Sequence, residues 1–192
     1  MIRNSDIQFQ SPEAIRAFQE ERMQETIRYV AGHSEFYRSL FAQAGIVPFE
    51  IRTLEDLRRI PVTTKQDLQL RNNEFLCVPR HKIIDYVTTS GTLGDPVTFA
   101  LTESDLDRLA YNEMLSFTTV GCTRDDIIQL MVTLDRRFMA GLAYFLGARQ
   151  LGCGVTRVGN GIPELQWDTV RRIAPTACLV IPSFLLKLID FA

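Results

Sequence analysis

At 192 residues, with 46% hydrophobic side chains and a formal net charge of −2, the chain has enough apolar material for one well-cored domain, or one domain with a small appendage. The near-neutral balance, without a run of basic residues, excludes the concentrated positive face that nucleic acid requires. No apolar run approaches the length of a membrane helix, and the amino terminus lacks a signal-peptide pattern, so a cytoplasmic protein is expected. The four cysteines (Cys77, Cys122, Cys153 and Cys178) are widely spaced without a Cys-x-x-Cys pair, and the only histidines are His33 and His81. That argues against a zinc site and for reduced, partly buried thiols.

In chain order, Ser11-Pro12-Glu13 is a helix start: a capping hydroxyl, proline at the first helical position, and an early acid. Apolar residues at Ala14, Phe18, Met23, Ile27 and Val30 predict an amphipathic helix to about residue 31. A second helix runs near Ser34 to Ala44 and stops at Gly45. Leu54 to Arg59 and Lys65 to Leu70 read as short helices, the latter with a capping box in Thr63-Thr64-Lys65-Gln66. Residues 1–80 thus form a helical segment, and residues 81–192 change to alternating strand and helix. Strands are expected at 83–88, 97–101, 127–133, 154–158 and 177–181, and helices at 103–119, 138–151, 163–173 and 183–191. Thr102 to Asp105 cap the first of these helices. The expected fold is α/β: a helical layer, a β-hairpin loop, then βαβ units of a parallel sheet with right-handed crossovers.

Four places could carry chemistry. Thr88-Thr89-Ser90-Gly91-Thr92-Leu93-Gly94-Asp95-Pro96 sets hydroxyls and glycines between two apolar, β-branched runs. Such a loop can bring N–H and O–H donors close to phosphate oxygens. It is not a Walker A loop, because no Gly-Lys-Ser/Thr follows and no helix starts there. Read locally, an ordinary hairpin is the simpler account. Leu134 to Gly141, containing Asp135, Arg136, Arg137 and Phe138, leads into a helix; Phe138 and Met139 serve either a core or a pocket, and the arginines either water or an anion. Gly159-Asn160-Gly161 follows a strand, where open α/β sheets bind ligands, though a plain turn reads as well. Ser183, after Pro182, reads first as a helix cap. No Ser or Cys nucleophile lies in a motif with a histidine, so no catalytic residue and no metal ligand is assigned.

Thr89 to Pro96 resembles the phosphate loop of the adenylate-forming enzymes, and within them of the phenylacetate–CoA ligase family, whose loop reads roughly Ser-Ser-Gly-Thr-Thr-Gly-Lys-Pro. With Thr89 taken as equivalent to Ser, this chain departs from it at Leu93 and Asp95. Upstream, Ser34-Glu35-Phe36-Tyr37-Arg38, Gly45-Ile46, Thr53 to Leu57 and Pro61 to Leu68 follow the family's order. Downstream, so do Leu151-Gly152-Cys153, Gly159-Asn160-Gly161, Ala174-Pro175-Thr176 and Pro182 to Leu186. The resemblance runs from about residue 20 to the end.

The resemblance implies ATP phosphate contacts at Thr89, Ser90, Gly91, Thr92 and Gly94. Asp95 stands where the family usually has Lys. An acid there repels phosphate, unless it points outward or helps hold a hydrated metal. The same resemblance sets Phe138 and Gly141 beside the acyl pocket, where the family has a Gly/Tyr/Phe-rich segment, and adds Gly159, Asn160, Gly161 and Ser183 to the substrate side. Family members are more than twice this length, so the chain is expected to be the amino-terminal portion of a larger enzyme. The implied enzyme uses ATP, Mg2+ and coenzyme A on a carboxylic acid, expected to be aromatic, and permits a homodimer. Its ribose, adenine and catalytic-lysine elements would lie beyond residue 192, leaving this chain inactive alone. Two rival readings stay open: an adenylating ligase that loads a carrier, and a non-catalytic binding or assembly module.

Overall fold

The computed structural model of the chain describes residues 6–89 and 95–192. Contacts divide these residues into two units, 6–82 with 95–98, and 83–89 with 99–192.

The first unit is helical. α1 (Pro12–His33) begins where the Ser11 hydroxyl accepts from the Ala14 N–H at 3.2 Å and Pro12 takes the first position. α2 (Glu35–Gln43) follows after Ser34. The Ser34 side chain is fully buried, accepting from the Tyr37 N–H at 3.3 Å and donating to the Glu74 carbonyl at 2.8 Å, so one hydroxyl caps a helix and ties down a distant turn. Ile27 of α1 and Phe41 of α2 form a buried cluster with Ile46 and Ile51. Beside it Phe36 stacks on Phe75 with centroids 4.0 Å apart, and the Arg71 guanidinium lies 4.8 Å from the Phe36 ring centre. The apolar stripe of α1 is shorter than its sequence pattern: Ile27 is buried but Ala14 is exposed, and the helix start is held by Arg16 pairing with Glu20 and Glu55. α3 (Lys65–Leu70) has its capping box at Thr64 and Asp67, one residue later than expected. The Asp67 carboxylate accepts from the Thr64 N–H at 2.8 Å, and a carboxylate is a stronger acceptor there than the Gln66 amide.

In the second unit β1 (Ile83–Thr88) and β2 (Thr98–Thr102) form a two-stranded sheet, with Thr98 the one strand residue assigned to the first unit. α4 (Glu103–Thr119) starts directly from β2 because Thr102 and Asp105 make a capping box, with Thr102 N–H donating to Asp105 at 2.9 Å. Next come β3 (Ile127–Leu130), α5 (Met139–Leu151), β4 (Gly154–Arg157), α6 (Pro163–Ile173), β5 (Ala177–Leu179) and α7 (Pro182–Phe191). The three later strands make a parallel sheet in the order β4-β3-β5, with Ile128 opposite both Val155 and Ala177.

The chain steps from β3 to β4 on one side, then crosses back over β3 to reach β5. Right-handed crossovers therefore put α5 and α6 on opposite faces of the sheet. Side chains agree with this. Ile128 and Leu130 are buried with Phe117 of α4 and Ala148 of α5, while Gln129 between them faces the other way and bonds Gln166 of α6. Strands expected at 127–133, 154–158 and 177–181 end at 130, 157 and 179. Met131 and Val132 stay buried beyond the ladder, so the apolar run outlasts the pairing that defines the strand. No helix among the described residues is long and apolar enough to cross a membrane.

Candidate functional site

A strand order of β4-β3-β5 reverses direction at β3, and such a reversal leaves a crevice beyond the carboxyl ends of the strands. A cleft of about 420 Å3 lies there, lined by the loop after β3 (Thr133, Leu134, Asp135, Arg136) and the loop after β4 (Arg157, Val158, Gly159, Asn160). The two loops are joined at their root, since the Leu130 carbonyl accepts from the N–H groups of both Val158 and Gly159 at 3.2 Å.

The loop after β3 is a tight turn. The Phe138 N–H donates to the Asp135 carbonyl at 3.1 Å, and the two central residues, Arg136 and Arg137, have φ of 58° and 61°. Positive φ at both centres is the pattern of a type I′ turn, normally filled by Gly, Asn or Asp. A left-handed backbone costs other residues about 1–2 kcal/mol each. The Arg137 carbonyl accepts from the Thr88 N–H at 3.1 Å, which fastens this turn to the end of β1, one residue before Thr89. Thr133 donates its hydroxyl to the Asp135 carboxylate; this bond, with Arg136 beside it, holds the Asp135 carboxyl below the usual carboxylate range. Gly141 in the first turn of α5 is dictated by the same loop: a Cβ there would sit 1.9 Å from the Thr133 carbonyl oxygen.

The loop after β4 is built differently. Gly159 and Gly161 both have φ of 79°, a conformation that glycine adopts freely. Their carbonyls accept from the Gln166 side-chain amide at 3.0 and 3.1 Å. Two carbonyl acceptors require the NH2 end of Gln166 to face the loop, so its oxygen faces Gln129 and must meet an NH2. Gln129 Nε2 indeed donates to Gln166 Oε1 at 2.8 Å, with both side chains fully buried. The orientation leaves Gln129 Oε1 buried without a partner among the described residues. This amide relay from β3 through α6 fixes the Gly159-Asn160-Gly161 backbone and leaves Asn160 exposed at the cleft.

Of the residues singled out by sequence, Gly159 and Asn160 line the cleft, Gly161 is tied in by the relay, and Phe138 and Gly141 flank the Asp135–Phe138 turn. Phe138 is 43% exposed, so it is no core residue. Thr89 is exposed at the end of β1, next to the residue bonded to Arg137. Ser90, Gly91, Thr92 and Gly94 lie outside the described residues. Asp95 is exposed in the first unit, its carbonyl accepting from the Gln69 side chain. Ser183 is exposed in the first turn of α7 and is not among the cleft's lining residues; it does not cap the helix either, because Pro182 takes the first helical position and Ile181 becomes the cap. Gln129 and Gln166, which the sequence reading passed over, are the residues that shape this site.

No family model matches the chain. It is 32% identical over 187 residues to the phenylacetate–coenzyme A ligase of Escherichia coli, covering 96% of this chain and 42% of that protein. The corresponding ligase of Thermus thermophilus is 34% identical over 173 residues, covering 90% of this chain and 39% of that one. Among solved structures, 2-hydroxyisobutyryl-CoA ligase in complex with 2-HIB-AMP and CoA superposes with a TM-score of 0.84 at 25% identity, over 94% of this chain and 40% of that one. The chain spans about two fifths of the length of these curated relatives. The likeness carried by the short motifs therefore extends over nearly the whole chain, and this sequence is similar to a portion, about two fifths, of the phenylacetate–CoA ligases, in keeping with an amino-terminal portion.

Proposed function

We propose that this chain supplies the phosphate loop and one wall of the acid pocket of a cytoplasmic, ATP-dependent acid–CoA ligase. Residues 1–80 serve as its helical amino-terminal segment and residues 81–192 as its nucleotide- and acid-binding part. The reading rests above all on the cleft beyond β3 and β4, at the reversal point of a parallel sheet, in a chain 32% identical to a phenylacetate–coenzyme A ligase. In the proposed reaction the carboxylate oxygen of a small acid, aromatic by this likeness, attacks the α-phosphorus of ATP. Pyrophosphate leaves and an acyl-adenylate forms. The thiol of coenzyme A then adds to the acyl carbon and AMP departs with its electron pair.

The chain's own groups suit positioning and charge neutralisation, without a nucleophile of their own. Thr89, Ser90 and Thr92 offer hydroxyls, and Gly91 and Gly94 offer clearance, toward phosphate oxygens. Asn160 offers an amide, and Arg136 and Arg157 offer fixed positive charge, to the acid. Among the described residues no group of three or more His, Cys, Asp or Glu side chains gathers to hold a metal ion. The test is a titration of this chain with a phenylacetyl-sulfamoyl-adenosine, a stable acyl-adenylate mimic, followed by amide chemical shifts. Saturable shifts at 88–95, 133–138 and 158–161 are expected; their absence would reject the reading. Incubated with ATP, Mg2+, coenzyme A and aryl acids, the chain alone is expected to give no thioester by mass spectrometry.

A further inference from the structure

The cleft is unusually polar for a site meant to take a plain aryl acid. Ligand pockets are lined mainly by apolar and aromatic side chains with a few polar groups. Here Thr133, Asp135, Arg136, Arg157 and Asn160 outnumber the apolar Leu134 and Val158. Two features describe how the arginines are held. Arg136 occupies the first centre of a turn that requires positive φ, where glycine would fit without strain; the fold therefore carries a side chain at a position that penalises one. Arg157 is the last residue of β4, and its guanidinium carbon lies 5.1 Å from the centre of the Phe145 ring on α5, a cation–π contact that restrains the stem while its donors stay available.

The one carboxylate in the cleft does not cancel them. Asp135 accepts the Thr133 hydroxyl and stands 3.9 Å from Arg136 Nε, with side-chain exposures of 75% and 84%, so water screens that pair. The lining therefore keeps a net positive charge: Arg136 and Arg157 against Asp135.

We propose that Arg136 and Arg157 form an oxyanion subsite in this cleft, and that the acid the enzyme takes carries a second anionic group beyond the carboxylate that reacts. The assignment rests on the acid-pocket reading above and narrows its substrate class. Guanidinium forks suit a planar carboxylate, and Asn160, held out by the Gln129–Gln166 relay, supplies a neutral donor at the same edge.

The experiment is an amide-shift titration of the full chain with three probes: phenylacetate, homophthalate (the same ring bearing a second carboxylate), and inorganic phosphate. Each is run on the native chain, on Arg136→Gly and on Arg136→Lys, with thermal denaturation of all three proteins alongside. Homophthalate is expected to shift residues 133–136 and 157–160 at concentrations roughly tenfold below phenylacetate, as one charge-assisted contact allows. Arg136→Gly is expected to remove that preference while raising the melting temperature, a combination that a merely structural arginine would not give. Arg136→Lys, which keeps charge but loses the fork, is expected to keep part of it. Equal or stronger binding of phenylacetate at the cleft would overturn the subsite and leave the acid-pocket reading standing. Phosphate as the only ligand there would overturn both, making the cleft a nucleotide or coenzyme phosphate site. Shifts by no probe would likewise overturn both.

Discussion

The loops that leave β3 and β4 depart from the same end of one sheet and line one cleft, yet they are held by different support. After β4, Gly159 and Gly161 take positive φ at no steric cost, and a buried amide relay grips their carbonyls. After β3, Arg136 and Arg137 take positive φ against their own preference, and the turn is secured by backbone bonds from Phe138 and Thr88. The β4 loop has buried support, although Ile162 at its end also takes a left-handed φ of 49°. The β3 loop is strained at two adjacent residues and shows charged side chains to solvent. In the proposed acid pocket the first loop would be a fixed wall and the second would present guanidinium groups.

That contrast can be broken from either side. The largest effect is expected for Gln166→Leu, which strips the donors from two loop carbonyls and leaves the buried Gln129 amide only its 3.3 Å bond to the residue-166 carbonyl, at a cost of about 3 kcal/mol in urea denaturation. Removing both partners, in Gln129→Leu with Gln166→Leu, should cost less than the single change, because no buried amide remains unpaired, while exchange of the Gly159 to Gly161 amides still accelerates. Gly141→Ala should cost about 2 kcal/mol, since the new methyl group collides with the Thr133 carbonyl and pushes the β3 loop outward. Arg136→Gly should do the reverse, stabilising the chain by about 1 kcal/mol through relief of the left-handed strain.

The smallest effect lies at the opposite end of the sheet. Asp126 accepts from the Thr123 N–H at 2.7 Å and the Thr176 hydroxyl at 2.7 Å, and these bonds lower its pKa. A carboxyl whose folded pKa is depressed contributes stability above its unfolded pKa, about 3.9, and loses it as pH falls through the folded value. Asp126→Asn should therefore melt earlier than the native chain at neutral pH, with the gap closing below about pH 4. A gap that persists in acid would mean that the carboxylate charge is irrelevant there.

Much of this arrangement was legible in the sequence, for identifiable reasons. α4 and α6 fall at 103–119 and 163–173 as read, because Thr102 with Asp105, and Pro163, are local start signals. The parallel sheet followed from the alternation of strand and helix, and Gly159-Asn160-Gly161 from its place after a strand. What escaped the reading depends on distant partners. Gln129 sits in Ile-Ile-Gln-Leu-Met-Val, where one amide in an apolar run looks like an interruption, and its partner Gln166 is 37 residues away. The Asp135–Phe138 turn escaped because its centre holds arginines where turn chemistry expects glycine or asparagine. The Ser183 hydroxyl suits a cap by residue type, but Pro182 before it moves the cap to Ile181.

In the proposed enzyme, the acid of an acyl-adenylate sits in the cleft between the β3 and β4 loops. Photo-crosslinking tests it most directly, using an acyl-sulfamoyl-adenosine whose aryl ring carries an azide, followed by peptide mapping of the labelled chain. Labels are expected within residues 133–138 and 157–161, competed away by unmodified mimic and lost when Gln166→Leu releases the β4 loop. Competable labels confined to α7, or to the helical residues 6–82, would contradict it.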